Sequence, residues 1–208
     1  MDIILRQDLI DLYTVRDIKS IETLVSLLKN CIGSSVSYSN LARDLECDPH
    51  TVKRWLQLLE NLYIIFRVTP YAKNVARSLL KEPKFYFYDH TYAEDPGARL
   101  ENIVAMALLK NLHCLEDTQG LETSLHYLRT KDGKELDFLV CIDHKPTHLI
   151  EVKMSDDTPV KGFAHFSRYF DSTQCIQLVK ILKREKTYPN GLELRALIPW
   201  LAEFSLAL

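Results

Sequence analysis

A run of three strand-like segments behind an amphipathic helix, over residues 96–153, restricts this chain more than any other feature. Asp95-Pro96-Gly97 breaks the chain and opens a helix with the stripe Leu100, Ile103, Val104, Ala107 and Leu108, predicted to end near Asn111. Then come Leu125–Arg129, a Lys131-Asp132-Gly133-Lys134 turn, Glu135–Cys141, a second turn over Asp143 to Pro146, and His148–Lys153. A helix followed by a meander demands an α/β (α+β) arrangement, in which helices cover a sheet. Beyond it, Phe163, Phe166, Tyr169 and Phe170 predict a helix, Gln174 to Lys180 a strand, and Leu194 to Trp200 a last strand or edge segment.

The first ninety residues read differently. Leu9, Leu12 and Tyr13, then Ile18, Ile21, Leu24, Val25 and Leu28, recur at helical spacing as two helices and a loop, until Gly33-Ser34-Ser35 stops the pattern. Tyr38 to Leu45 forms a short helix, and Asp48 caps a second with Pro49 at its first position, running through Val52, Trp55, Leu56 and Leu59 to Asn61. Two β-rich segments, Tyr63–Val68 and Lys84–Tyr88, complete a winged helix-turn-helix layout. Residues 1–92 are therefore read as that module and 93–208 as a second, sheet-based domain. Thr51, Lys53, Arg54 and Gln57 lie on the outer face of the second helix, where phosphate or base contacts are made; a plain solvated face is the competing account.

Composition limits the function classes. A net charge of −2 and a pI near 6.4 announce no general polyanion binding, so any DNA contact must come from local patches such as Lys53-Arg54 or Lys180 to Lys186. Five cysteines, odd in number and without a C-x-x-C pair, point to reduced thiols in a cytoplasmic protein rather than to a disulfide framework or zinc site. No stretch approaches the length of a membrane span.

The chemistry is concentrated in the meander. Within Leu136 to Val140, alternation puts Leu136, Phe138 and Val140 on one face and Asp137 on the other; Glu151 and Lys153, two apart, share a face of the next strand. If the strands are antiparallel neighbours, Asp137 and Glu151 come within reach of one cation, with Lys153 beside it. Glu101, one residue off the helix stripe, leans toward the same point. Carboxylates are the donors hard cations prefer, so Mg²⁺ or Mn²⁺ is the expected cofactor, and the set Glu101, Asp137, Glu151 and Lys153 suits phosphodiester hydrolysis. Lys153 would either orient the water or stabilise developing charge. An apolar core has no use for three acids and a lysine there.

Lower-ranked groups read as ordinary. His144 and His148 are expected at the surface, Asp89-His90 as a turn or cap, Tyr86, Phe87 and Tyr88 as core rather than base-stacking rings, and Lys161, Arg168 and Gln174 as solvated.

Glu101, Asp137 and Glu151-Val152-Lys153 resemble the E, D and E-x-K elements of the PD-(D/E)XK superfamily of restriction-endonuclease-like nucleases, with spacings similar to Holliday-junction resolvases. More closely, Gly97-Ala-Arg-Leu-Glu-Asn102, Tyr127-Leu-Arg-Thr-Lys-Asp-Gly-Lys-Glu-Leu-Asp-Phe138 and Ile150-Glu-Val-Lys153 resemble the uncharacterised C-terminal domain of bacterial and archaeal AAA-type P-loop ATPases, where a winged-helix region precedes a nuclease-like domain. The resemblance implies a restriction-endonuclease-like mixed sheet flanked by helices, DNA as partner, an N-terminal ATPase domain in the full-length protein, and dimers in many relatives. It departs from the family in lacking any G-x-x-x-x-G-K-[ST], so no nucleotide site is expected in this chain. The charged, amphipathic start MDIILRQDLIDLY favours a fragment lacking its motor over a stand-alone descendant. Two function classes follow: a metal-dependent DNA phosphodiesterase, or a non-catalytic module that attaches the ATPase to DNA or to a protein.

Overall fold

A computed structural model describes residues 15–71, 82–130, 132–170 and 172–204. Leu9, Leu12 and Tyr13 of the expected first helix, and Lys131 of the hairpin turn, lie outside those residues. Helix α1 (Val15–Lys29) buries Ile18, Ile21, Leu24, Val25 and Leu28, the stripe its spacing predicts. In α2 (Tyr38–Asp44) Leu41 and Ala42 face inward. Asp48 caps α3 (Pro49–Asn61) by accepting the His50 amide at 2.7 Å, and Val52, Trp55, Leu56 and Leu59 are buried.

Strands β1 (Ile65–Pro70) and β2 (Lys84–Phe87) pair antiparallel, Phe66 opposite Tyr86. They do not stand apart as a free wing. β1 also pairs parallel with β3 (Thr123–Arg129) through Thr69 and His126, so both strands belong to one eight-stranded mixed sheet of order β2-β1-β3-β4-β5-β6-β8-β7. The reason lies in β2, where Lys84, Phe85, Tyr86 and Phe87 are all buried; a wing exposed on one face would carry alternating polar positions.

Helix α4 (Pro96–Gln119) starts where expected, with Asp95 accepting the Ala98 amide at 2.8 Å. It does not end near Asn111. Leu112 and Leu115 carry its buried stripe two turns further, and Gly120, at φ 68°, closes it in the left-handed conformation. The meander follows: β3, β4 (Glu135–Ile142) and β5 (Lys145–Lys153) are antiparallel neighbours. A two-residue turn with positive φ at Asp143 and His144 joins β4 to β5, the geometry that fits the right-handed twist of a hairpin. Helix α5 (Lys161–Phe166) leads to β6 (Gln174–Val179), β7 (Lys186–Thr187) and β8 (Leu192–Ala196), with β6 parallel to both β5 and β8. The segment expected as a last strand over Leu194 to Trp200 is split: extended backbone stops at Ala196 and helix α6 (Leu197–Glu203) begins.

Two cores flank the sheet. The larger joins α1 to α4 with β1, β2, Phe138, Val140 and Ile150; the smaller gathers Leu128, Leu136, Leu139 and Leu149 beneath Phe163 and Phe166 of α5. Leu136 therefore does not share a face with Phe138 and Val140. Between the pairs His126–Leu139 and Leu128–Leu136 the register slips by one residue of β4; such a bulge inverts the alternation downstream and re-aims the residues within it. Asp137 sits in that irregular stretch.

Candidate functional site

The bulge lies where β4 and β5 part. Their backbone ladder reaches Phe138–Ile150, and beyond it carboxylates take over as acceptors. The Val152 amide donates to Asp137 Oδ2 at 2.9 Å, and the Asp137 amide to Glu151 Oε2 at 3.3 Å. Each acid thus engages the strand bearing the other, which places Asp137 and Glu151 together as their spacing predicts. Lys153 returns along β5 to donate to Glu151 Oε1 at 2.6 Å. Glu151 is buried, whereas Lys153 keeps 34% of its side chain exposed and is the outward member of the pair.

Glu101, in the second turn of α4, occupies the other end. Its Oε1 accepts the Tyr86 hydroxyl at 2.6 Å and the Lys84 ammonium at 3.4 Å. Lys84 also donates to Glu135 Oε1 at 2.6 Å and lies 5.2 Å from the centroid of the Tyr127 ring. Arg129 reaches the second Glu135 oxygen at 3.5 Å and the Ser35 hydroxyl at 3.2 Å. Gly33, after α1, brings its backbone so close to Glu101 that a Cβ there would stand 2.7 Å from Oε2. Asn102 ties the helix to β2 by accepting from the Phe87 amide at 2.8 Å and donating to the Phe87 carbonyl at 2.7 Å.

Asp137 lies electrostatically between the two ends. Burial, and then the charge of Asp137, push the carboxyls of Glu101 and Glu151 both up to about 7. The Asp137 carboxyl is itself raised by burial. Burial alone would depress the Lys84 ammonium, but Glu101, Asp137 and Glu135 outweigh it and hold the amine protonated, above the ordinary lysine value. Lys153 is raised as well: burial works against it, and Glu151, Asp137 and Glu101 prevail. Carboxylates crowded in this way suit a hard cation. Yet no group of three or more His, Cys, Asp or Glu side chains able to hold a metal ion is assembled among the described residues. Lys84 is the cation that Glu101 and Glu135 already hold.

Lys84, Tyr86, Glu135 and Gly33 are absent from the sequence-derived set. One signal was available, namely a lysine leading a strand of three aromatics, a position where an unpaired charge is not tolerated. Tyr86 and Phe87 are core residues as expected, although the Tyr86 hydroxyl also serves Glu101. Asp89 caps a short 3₁₀ turn (His90–Tyr92) by accepting the Thr91 amide. His144 is exposed and pairs with Glu122 at 3.1 Å. His148 is not a surface histidine: it is partly buried, bonds Thr147 at 2.9 Å, and has its pKa lowered by that burial. Lys161, Arg168 and Gln174 are exposed, and Gln174 donates to Glu193.

The second candidate surface is the outer face of α3. Lys53, Arg54 and Gln57 are exposed and Thr51 partly so. Lys53, Arg54 and Gln57 line a shallow groove of about 390 Å³ with His50 and Asn61.

Comparison with known proteins returns families without an assigned activity. The model of the domain of unknown function DUF4143 matches residues 96–201, and that of the domain of unknown function DUF8612 matches residues 1–93. An uncharacterized protein of Haemophilus influenzae is 22% identical over 220 residues, covering 97% of this chain and 50% of its own length. An uncharacterized protein of Mycobacterium tuberculosis is 26% identical over 128 residues, covering 58% of this chain and 29% of its own. The chain spans about half or less of the length of these curated relatives. No solved structure matches it.

Proposed function

This chain belongs to the DUF4143 family, a domain of unknown function, and from its own side chains we propose that it is a divalent-metal-dependent DNA phosphodiesterase module. The observation that carries this reading is the joining of Asp137 and Glu151 across β4 and β5, with the Lys153 ammonium 2.6 Å from Glu151 and still partly open to solvent. The donor chemistry fits: Asp137 and Glu151, with Glu101 from α4, offer only carboxylate oxygens, and the burial and mutual repulsion that raise Glu101 and Glu151 make the group one that gains from a bound cation. Mg²⁺ or Mn²⁺ held by these three would lower the pKa of a bound water and neutralise charge on the scissile phosphate. Lys153, the most exposed of the group, binds a phosphate oxygen or orients the attacking water, and Glu151 fixes the direction of its ammonium. The basic face of α3, with Thr51, Lys53, Arg54 and Gln57, holds the DNA backbone.

A second reading has its own support. The ion network of Lys84, Glu135, Arg129 and Glu101 is complete without a metal, as expected of a non-catalytic module that attaches an ATPase to DNA or to a protein. The family is often found with AAA ATPases, and the relatives extend well beyond this chain, which supports an ATPase domain as neighbour in the full-length protein under either reading. No helix among the described residues is long and apolar enough to cross a membrane.

Calorimetric titration of Mn²⁺ into the chain and into an Asp137→Ala, Glu151→Ala double variant, followed by plasmid nicking in the same samples, separates the two. Binding and nicking by the natural sequence, both lost in the variant, are expected of the nuclease. Absence of binding both in the natural sequence and in a variant lacking the Lys84 charge leaves the attachment module.

A further inference from the structure

Lys84 takes no part in the chemistry proposed above, yet it is the most enclosed charge among the described residues. Lys84 is 1% exposed, on a strand whose other three residues are aromatic and buried. A lysine in such surroundings is held only by ionic partners. Here they are Glu135, Glu101 and, through space, Asp137.

We propose that Lys84 is the resident counter-cation of the acidic site, and that a divalent ion must displace its ammonium before Glu101 can join Asp137 and Glu151 as a ligand; this rests on the metal reading above. Three features of the Glu101 pocket lead there. Oε1 already accepts from both Lys84 and Tyr86. Oε2 lies against the Gly33 backbone, with no room even for a methyl group. The carboxylate is thus engaged on one oxygen and closely packed at the other, so a new cation at this end competes with the old one for the same donor. Glu135 supplies the alternative seat: at 2.6 Å it is the nearer of the two ion-pair partners, and it is less buried than Lys84.

The displaced group belongs to the N-terminal part of the chain. Ser35 bridges to Lys84, and the Val36 amide donates to the Pro83 carbonyl at 2.8 Å, so backbone contacts tie the loop after α1 to the start of β2. Lys84 thus couples the helical region, with its basic α3 face, to the acids of the sheet.

The test uses the full chain with Mn²⁺ as probe, comparing the natural sequence with Lys84→Met and Glu135→Gln by calorimetry, and by thermal melting in chelator and in Mn²⁺. Removing the competing charge should tighten Mn²⁺ binding at least about tenfold in Lys84→Met, and Mn²⁺ should raise its melting temperature more than that of the natural protein. Glu135→Gln, which frees the ammonium for Glu101 and Asp137, should weaken binding. Binding by Lys84→Met alone also supports the proposal. If Lys84→Met melts cooperatively only in Mn²⁺, displacement is again supported; if Mn²⁺ fails to restore it, the proposal falls. Equal or weaker binding in Lys84→Met than in the natural chain overturns the proposal and leaves the metal reading standing. Absence of binding in both overturns the metal reading and the proposal with it.

Discussion

Two lysines approach the same acids from opposite ends and differ in almost every other respect. Lys84 enters from β2, is 1% exposed and is shared between Glu135 and Glu101. Lys153 lies on the same strand as its partner Glu151, two residues away, and is 34% exposed. The first is a fixture of the fold, because its charge is wholly enclosed and is held in place only by Glu135 and Glu101. The second is the solvent-facing member, and under the proposed nuclease reading its ammonium is the one a substrate would reach. One cluster of acids therefore has an enclosed end and an open end.

The difference should appear first in stability. Lys84→Met should cost about 3 to 5 kcal/mol in urea unfolding without metal, the usual effect of stripping one partner from a buried ion pair, whereas Lys153→Met, which removes a half-open cation and leaves a Glu151 carboxyl that can take up a proton, should cost about 1 to 2 kcal/mol and abolish nicking. Similar losses for the two would erase the distinction. Gly33→Ala comes next: φ is 75° there and the new methyl would press on Glu101 Oε2, so a destabilisation of about 3 kcal/mol is expected from thermal melting. Asn102→Ala leaves the buried amide and carbonyl of Phe87 without their partner and should cost about 2 to 3 kcal/mol, with faster hydrogen exchange at the Phe87 amide than at Ile176 on the far side of the sheet. Tyr86→Phe removes a single donor from Glu101 and should cost about 1 to 2 kcal/mol.

The smallest effect concerns pH and two histidines away from the acids. His126, bonded to Thr69 and Ser124, and His148 both have pKa values below the ordinary 6.5, chiefly through burial. The unfolded chain binds protons that the folded one refuses. Their contribution is therefore complete above about pH 6.5 and is lost as pH falls from there toward the depressed folded values. Replacing both with Gln should flatten that part of a stability profile; an unchanged slope between about pH 6.5 and 5 would show that the two histidines do not carry it, since the raised Glu101 and Glu151 carboxyls tilt the profile the other way.

What could be read in advance was local. Asp48 before Pro49 and Asp95 before Pro96 announced their helices because an N-cap acts within three residues of itself. Asp137 and Glu151 could be paired on paper because a short turn fixes which residues of a hairpin meet. The faces of β4 could not, since the bulge opposite His126 to Leu128 leaves no trace in the alternation of Leu136, Phe138 and Val140. The length of α4 is not visible locally, because Asn111 carries the signal of a stop while Leu112 and Leu115 continue a stripe that only the sheet reveals. Lys84 and Glu135 are fifty-one residues apart, and Gly33 is further still from Glu101; nothing in either neighbourhood signals the other. Long-range ionic partners are chosen by topology, and topology was the least legible layer.

The parallel pairing of β1 with β3 has a consequence for how the molecule is made. Thr69 and His126 meet across 57 residues of chain, so as synthesis proceeds β1 and β2 emerge long before the strand that covers their open edge. Until β3 and β4 arrive, Ile65, Phe66 and Val68 border an unpaired row of backbone groups, the kind of edge that recruits strands from other chains. Closing so distant a contact is slow compared with forming the helices on either side. Expression of residues 1–92 alone should therefore yield aggregated material, and co-expression with residues 93–208 should recover part of it in soluble form.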